Sequence, residues 1–382
     1  MATTRIGFVG VGDASVVYLK NITKKCKELE IVGICDLVRA KAERASAQYG
    51  GLKIYEDMHA LFADPAVDIV LNLTRPGEHY EVSKAALQAG KPVYSEKPLA
   101  ATFAQGQELV ELAQAKGLLL GGAPDTFLGA GVQGARRLLE EDVIGQPVGA
   151  AAHMLCHGHE TWHPDPSFYY NAPGGGPMLD MGPYYVTALV NLLGPVETVV
   201  GVTKTTYPTR TITSQPLNGK VIDVEVPTYQ TGILRFASGV IATIITTFDV
   251  YSVPGVNHIE IYGTRGNMIV PNPNDFGGEI KIKVGEKDSP KAAQNWGHGD
   301  WITIDSPYDI YQEDSRAVGL ADFAKALQTG RTPRASAALQ TLHVLEVLEA
   351  VAKSSAEGRA IAIKTPFTLQ PALPLTAEEG VF

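Results

Sequence analysis

Positive charge is in short supply in this chain: 32 Lys and Arg stand against 41 Asp and Glu, for a formal net charge of −9 at pH 7. Nucleic acids and anionic membrane surfaces attract the opposite balance, so neither is expected as a partner, and a small molecule is. Cysteine is scarce as well. Cys26, Cys35 and Cys156 are odd in number, far apart and without a CxxC pair, which argues against a disulfide framework or a cysteine-bound zinc and fits a reducing compartment. No apolar run is long enough to span a bilayer, and no charged leader with an apolar stretch precedes the first strand; a cytoplasmic location is expected.

Apolar residues and turn formers are abundant. Hydrophobic residues make up 45% of the 382 positions, with 39 Gly and 24 Pro, a globular composition long enough for two cores. The first half alternates strand and helix patterns. Arg5–Val9 is apolar and breaks at Gly10-Val11-Gly12-Asp13-Ala14-Ser15, after which Val16, Leu19 and Ile22 recur at helical spacing. That order gives a glycine turn the context of a dinucleotide site: Gly10 permits the tight turn, Gly12 lets a pyrophosphate approach the helix start, and Asp13 and Ala14 open the helix. Ser15 replaces the third glycine, and Asp13 is expected to turn away from the pyrophosphate and cap the helix. Asp36 ends the second strand, 24 residues after Gly12. A carboxylate there accepts from a ribose 2′-hydroxyl and repels a 2′-phosphate, so NAD is favoured, with NADP second because Arg39 is near. Further units follow: strand Leu52–Tyr55, helix Met58–Phe62, strand 67–73, helix Tyr80–Ala89, strand Lys91–Glu96, helix Phe103–Lys116 and strand Leu118–Gly122. The sheet they form should be parallel.

From 124 onward the pattern changes. Helix Ala130–Glu141 and strand Val148–Leu155 lead to long alternating strands, Tyr229–Phe236 and Val240–Phe248, joined by Ala237-Ser238-Gly239, and then to strands His258–Tyr262 and Glu279–Val284. Short turns between neighbouring strands predict a mostly antiparallel open sheet. Gly285–Asp300 reads as a loop, and Ala317–Leu327 and Ala335–Ala352 as helices. The predicted class is α/β, an N-terminal Rossmann dinucleotide-binding domain over 1–123 followed by an α+β substrate-binding and oligomerisation domain over 124–382.

Two segments carry chemistry. Val93-Tyr94-Ser95-Glu96-Lys97-Pro98 ends a strand by presenting a lysine at the edge of the sheet, where charged groups lie over the ligand crevice. His157–Gly182 holds His159, Trp162, His163, Tyr169, Tyr170 and Asp180; Tyr184 follows just beyond it, and Asp180 and Tyr184 stand four apart at the start of an apolar helix and are expected on one face. The histidines with Glu160 and Asp165 match no familiar zinc spacing, and no metal is expected. Polar groups among aromatic rings equally describe a sugar-binding wall, so Trp162, His163, Tyr169 and Tyr170 are assigned to substrate, His163 foremost. Alcohol oxidation needs a proton acceptor within hydrogen-bond reach of the hydroxyl. A tyrosine titrates near 10 and serves only beside positive charge, which lowers it by roughly 1 to 3 units. Tyr184 as acid/base with Lys97 as electrostatic partner, and the reverse, both remain open, with Asp180 positioning the hydroxyl or the lysine.

The glycine turn, Asp36, Asn72-Leu73-Thr74 with His79, Ala89-Gly90-Lys91 and above all Glu96-Lys97-Pro98 resemble the Gfo/Idh/MocA oxidoreductases of sugars and polyols. The resemblance implies that Lys97 is the catalytic lysine, that the Lys97–Pro98 peptide is cis, and that Asn72, Thr74, His79, Glu96 and Lys97 line the NAD site, Glu96 on the nicotinamide side. It implies a carbohydrate substrate, with Asp180 in the aspartate position. A histidine usually follows that aspartate by four residues; Tyr184 stands there, a change that occurs within the family. A homodimer or homotetramer is also implied. The expected activity is an NAD-dependent sugar or polyol dehydrogenase; the alternative is a redox-neutral, NAD-dependent glycosidase that oxidises, eliminates and re-reduces.

Overall fold

The computed structural model describes residues 3–251, 255–285, 300–334 and 337–376; most of the loop expected at Gly285–Asp300 and the first two residues of the helix expected from Ala335 lie outside them. The chain divides into two units. Unit 1 comprises 1–125, 315–345 and 376–382, and unit 2 comprises 126–314 and 346–375. The return of 315–345 to the first unit is absent from the division of the sequence at 123.

Unit 1 begins β1 (Thr4–Val9), α1 (Asp13–Lys25), β2 (Leu29–Cys35), α2 (Arg39–Gln48), α3 (Met58–Ala63), β3 (Ile69–Asn72), α4 (His79–Gln88), β4 (Val93–Ser95), α5 (Phe103–Lys116) and β5 (Leu120–Gly122). Its strands pair in parallel in the order β2-β1-β3-β4-β5. The strand expected at Leu52–Tyr55 reduces to a single parallel bridge of Ile54 to Ile34 at the outer edge of β2. With that bridge counted, the order is that of a doubly wound sheet, which reverses direction at β1 and β3. Helix α2 was not anticipated: only Ala42 and Ser46 of its ten residues are buried, so it lacks the apolar period that marks a helix.

Late in the chain, α10 (Val318–Thr329) supplies a further layer to this sheet. Its Leu320, Ala321, Phe323 and Ala324 join Ile6, Phe8, Leu19, Ile34, Ile69, Leu71 and Tyr94 in one core. Asp125, 1% exposed, holds the start of α10 through Oδ2, which accepts from the N–H groups of Ala317 and Gly319, each at 3.0 Å.

Unit 2 contains α6 (Ala130–Glu140), β6 (Pro147–Leu155), α7 (Phe168–Asn171), α8 (Pro177–Asp180), α9 (Gly182–Leu193), β7 (Val196–Lys204), β8 (Thr209–Thr211), β9 (Val221–Asp223), β10 (Tyr229–Phe236), β11 (Ile241–Thr247), β12 (Ile259–Gly263), β13 (Gly266–Val270), β14 (Ile280–Val284) and β15 (Ile302–Ile304). Helix α11 (Ala338–Glu357) begins in unit 1 and continues into unit 2, where β16 (Ile361–Ala362) follows. The nine-stranded sheet runs β15-β14-β13-β12-β6-β11-β10-β7-β16. It is mostly antiparallel as expected, with one parallel pair, β6 and β11. Side chains alternate cleanly: Val199, Leu234, Ala242 and Ile244 are buried, while Val200, Val202, Ile233 and Ile241 are exposed on the other face. Strands β8 and β9 form a separate two-stranded excursion. No helix among the described residues is long and apolar enough to cross a membrane.

Burial pushes the Asp125 carboxyl up to about 6, against the two N–H bonds and Arg316, which lower it. An ordinary unfolded aspartate titrates near 3.9, so between about pH 4 and 6 the unfolded chain releases a proton that the folded chain keeps, and stability falls as pH rises. Asp125→Asn retains an acceptor without the charge. It should raise the melting temperature above pH 6, by a gain of up to about 3 kcal/mol, and leave it unchanged at pH 4. Thermal unfolding at both pH values checks this, and an equal effect at each would remove the ionisation from the account.

Candidate active site

The glycine turn leaves β1 with Gly10 at φ +90°, where a Cβ would lie 2.8 Å from the Leu73 carbonyl oxygen; only glycine makes this turn without strain. Gly12 is the N-cap of α1 and has no side chain to cap that end. A Cβ on Gly12 would meet nothing within 4 Å. A helix start with a glycine N-cap and an open approach gives a pyrophosphate the room it requires, so the turn fits NAD. Asp13 occupies the first helical position, and Ala14 beside it is exposed. Ser15 packs into the turn, its hydroxyl donating to the Gly12 carbonyl at 2.6 Å.

Asp36 lies at the end of β2. Its Oδ2 accepts from the Val11 N–H at 2.8 Å and its Oδ1 from the Val38 N–H at 2.7 Å. Each carboxylate oxygen keeps capacity for a second donor such as a ribose hydroxyl.

At the end of β3, the side chains of Asn72 and His79 make hydrogen bonds within the protein. Asn72 is fully buried; its amide donates to the His79 carbonyl and the Ser83 hydroxyl, and its Oδ1 accepts from the Thr74 N–H and hydroxyl. His79 is 1% exposed, with Nδ1 2.7 Å from the Pro98 carbonyl and Nε2 3.0 Å from that of Thr74. Burial lowers the basicity of this imidazole, and the two carbonyls oppose that. Thr74 itself is half-buried in the same loop.

Lys97 follows β4, half-buried, and its bond to Pro98 is cis, as the resemblance implied. Its N–H donates to Glu96 Oε2 at 2.9 Å, while Glu96 Oε1 accepts from the Tyr18 hydroxyl at 2.8 Å. Tyr18, on α1, was not anticipated. Its burial, then the nearby Glu96, push its phenol well above the ordinary range, so it remains a donor at any physiological pH.

In unit 2, Asp180 and Tyr184 do not share one continuous helix. Pro183 has no N–H to donate to the carbonyl four residues back, so α8 ends at Asp180 and α9 restarts at Gly182. Both residues are 8% exposed. Asp180 Oδ2 lies 2.9 Å from His159 Nε2, a partner that spacing did not reveal because the two stand 21 residues apart. Among the wall residues, Trp162 is 60% exposed, and the His163 ring stands edge-on to Tyr169 at 5.4 Å, its Nδ1 accepting from the Asp165 N–H. Tyr170 corrects its assignment to substrate: it is fully buried, donates to Glu160 and accepts from the His159 N–H, and burial pushes its phenol far up. Among the described residues no group of three or more His, Cys, Asp or Glu is arranged to hold a metal ion.

Gly10→Ala forces a Cβ against the Leu73 carbonyl at positive φ. NAD affinity should fall at least about tenfold, roughly 1.4 kcal/mol, with a lower melting temperature. Fluorescence titration of NAD checks this, and unchanged affinity would mean that the turn is not the seat.

The chain matches two family models: residues 4–122 match the oxidoreductase family model with an NAD-binding Rossmann fold, and residues 132–269 match the Gfo/Idh/MocA C-terminal domain. It is 33% identical over 148 residues to an inositol 2-dehydrogenase/D-chiro-inositol 3-dehydrogenase of Lactiplantibacillus plantarum, an alignment covering 38% of this chain and 42% of that one. The chain thus spans less than half the length of this relative. A myo-inositol 2-dehydrogenase of Thermotoga maritima is 24% identical over 87% of this chain and 90% of its own. The fold is similar to that of levoglucosan dehydrogenase solved with NADH and L-sorbose, with TM-score 0.79 and 20% identity over 96% of this chain and all of that one. With its two units matched in turn and its glycine turn fitted to a dinucleotide, the chain belongs to the Gfo/Idh/MocA oxidoreductase family and carries that family's NAD-binding Rossmann fold.

Proposed function

We propose that the protein is an NAD-dependent dehydrogenase that oxidises a ring hydroxyl of a cyclic polyol or sugar. The observation that carries this reading is the placement of Lys97: its backbone is tied by Glu96 on one side and, through Pro98, lies against His79 on the other, at the carboxyl end of a sheet whose glycine turn fits a dinucleotide. The inositol dehydrogenases among its relatives support the substrate class. Asp36 supports NAD over NADP, since a carboxylate repels a 2′-phosphate.

When bound, NAD supplies the hydride acceptor. The chain's residues manage the proton: the substrate hydroxyl needs an acceptor within hydrogen-bond reach, and Tyr184 and Lys97 are the two candidates for that role. Asp180 orients the hydroxyl. Trp162, His163 and Tyr169 offer rings and an imidazole to the ring faces and hydroxyls of the substrate. The exposed aliphatic face of the large sheet, with Val200, Val202, Ile233 and Ile241, is the surface through which subunits would pair.

Purified protein incubated with NAD and a panel of inositols, free sugars and glycosides should accumulate NADH with at least one polyol or sugar and release no aglycone. Aglycone release without net NADH would replace this reading with a redox-neutral glycosidase. Lys97→Met should lower turnover at least about 100-fold, the ordinary scale of a lost acid/base group, with NAD affinity within about threefold of the original. Full activity in that variant would remove the lysine from the mechanism.

A further inference from the structure

Asp180 is held by a structure that the glycine turn and the lysine segment do not explain. His159 is nine-tenths buried and places Nε2 2.9 Å from Asp180 Oδ2. An imidazole nitrogen at that distance from a carboxylate is a donor. Nδ1 is buried and has no hydrogen-bond partner, so the ring is oriented by its one bond to Asp180 and by packing. Three rings fix that packing: Tyr169 at 4.2 Å, Phe248 at 4.8 Å and Trp162 at 5.2 Å between centroids.

The backbone around His159 is fixed as firmly. Arg210, carried on β8, is 5% exposed. Its Nη1 donates to the His157 carbonyl at 3.0 Å and to Glu160 Oε1 at 2.7 Å; its Nη2 donates to Asp249 Oδ1 at 2.6 Å and to the Phe248 carbonyl at 2.8 Å. The guanidinium therefore grips the residue before Gly158 and the residue after His159. The His159 N–H donates to the Tyr170 hydroxyl at 3.1 Å, and the Glu160 carbonyl accepts from Thr213 and Ser214 of the same excursion. Gly158 has φ +98°, and a Cβ there would collide with the Tyr170 hydroxyl and Glu160. Desolvating one cation and two carboxylates adds little net stability. What this cluster does accomplish is to set one short loop, and the side chain that loop presents to Asp180 is His159.

We infer that His159 is a positioning residue for Asp180, its imidazole N–H fixing the carboxylate that orients the substrate hydroxyl, with the Arg210–Glu160–Asp249 cluster holding His159 in place. The inference rests on the dehydrogenase reading for its kinetic consequence, and its structural half is testable without turnover.

His159→Gln keeps an N–H donor near the Nε2 position, whereas His159→Leu removes it. A hydrogen bond to a charged group is worth a factor of roughly 10 to 100. His159→Leu should therefore lose kcat by about that factor with KM and NAD affinity little changed, and His159→Gln should recover most of the loss. Leu and Gln variants of equal kcat, in protein shown by circular dichroism to be folded, would overturn the inference. Independently of any substrate, the proton NMR spectrum of the whole chain should contain a downfield imidazole N–H resonance that disappears in both His159→Gln and Asp180→Ala. Its persistence in Asp180→Ala would overturn the pairing, and that outcome is separate from a failure of the dehydrogenase assay.

Discussion

The hydrogen bond from the Val11 N–H to the Asp36 carboxylate joins the carboxyl ends of β1 and β2 at the point from which the dinucleotide site is built. With that tie in place, Gly10 turns against the end of β3, Gly12 stays open, and α1 starts at a fixed position. Tyr18 on α1 then reaches Glu96, and Glu96 holds the backbone of Lys97. Polar contacts thus run from the helix that follows the glycine turn to the backbone of Lys97 within one unit. Tyr18 remains protonated because burial and Glu96 both disfavour its anion, so these contacts persist across neutral pH.

The two units fix their functional groups by different means. Unit 1 relies on backbone groups: Asn72 and His79 bind carbonyls and N–H groups of the loop between them, and Asp125 binds the N–H groups that begin α10. Such contacts suit a site whose ligand is read largely by main-chain atoms and a helix end. Unit 2 relies on side chains. A guanidinium between two carboxylates fixes a loop, and aromatic rings fix an imidazole. Side-chain scaffolding of this kind suits a group that must be oriented toward a hydroxyl, where small angular errors are costly.

Much of this was legible in the sequence wherever a local signal existed. Helix Phe103–Lys116 and strand Tyr229–Phe236 formed with the bounds their patterns suggested, the first because Thr102 and Gly117 mark its ends, the second because its alternation is strict. The glycine turn, Asp36 and the lysine segment were readable from their order along the chain. Polar side chains that bury themselves were not: Asn72, His79 and Tyr170 look like ligand contacts by type and position, and only packing shows that their polar atoms are engaged. The break between Asp180 and Tyr184 was readable from Pro183, yet the apolar period on either side masks it. His159, Arg210 and the return of α10 to the first sheet depend on partners 21 or more residues away, and no local spacing encodes those meetings.

The central claim is that the turn at Gly10–Gly12, tied by Asp36, seats NAD. Calorimetric titration of the intact protein with NAD and then with NADP tests it most directly. The account predicts that NAD binds at least about tenfold more tightly, a difference of roughly 1.4 kcal/mol. Equal affinities, or tighter binding of NADP, would contradict it.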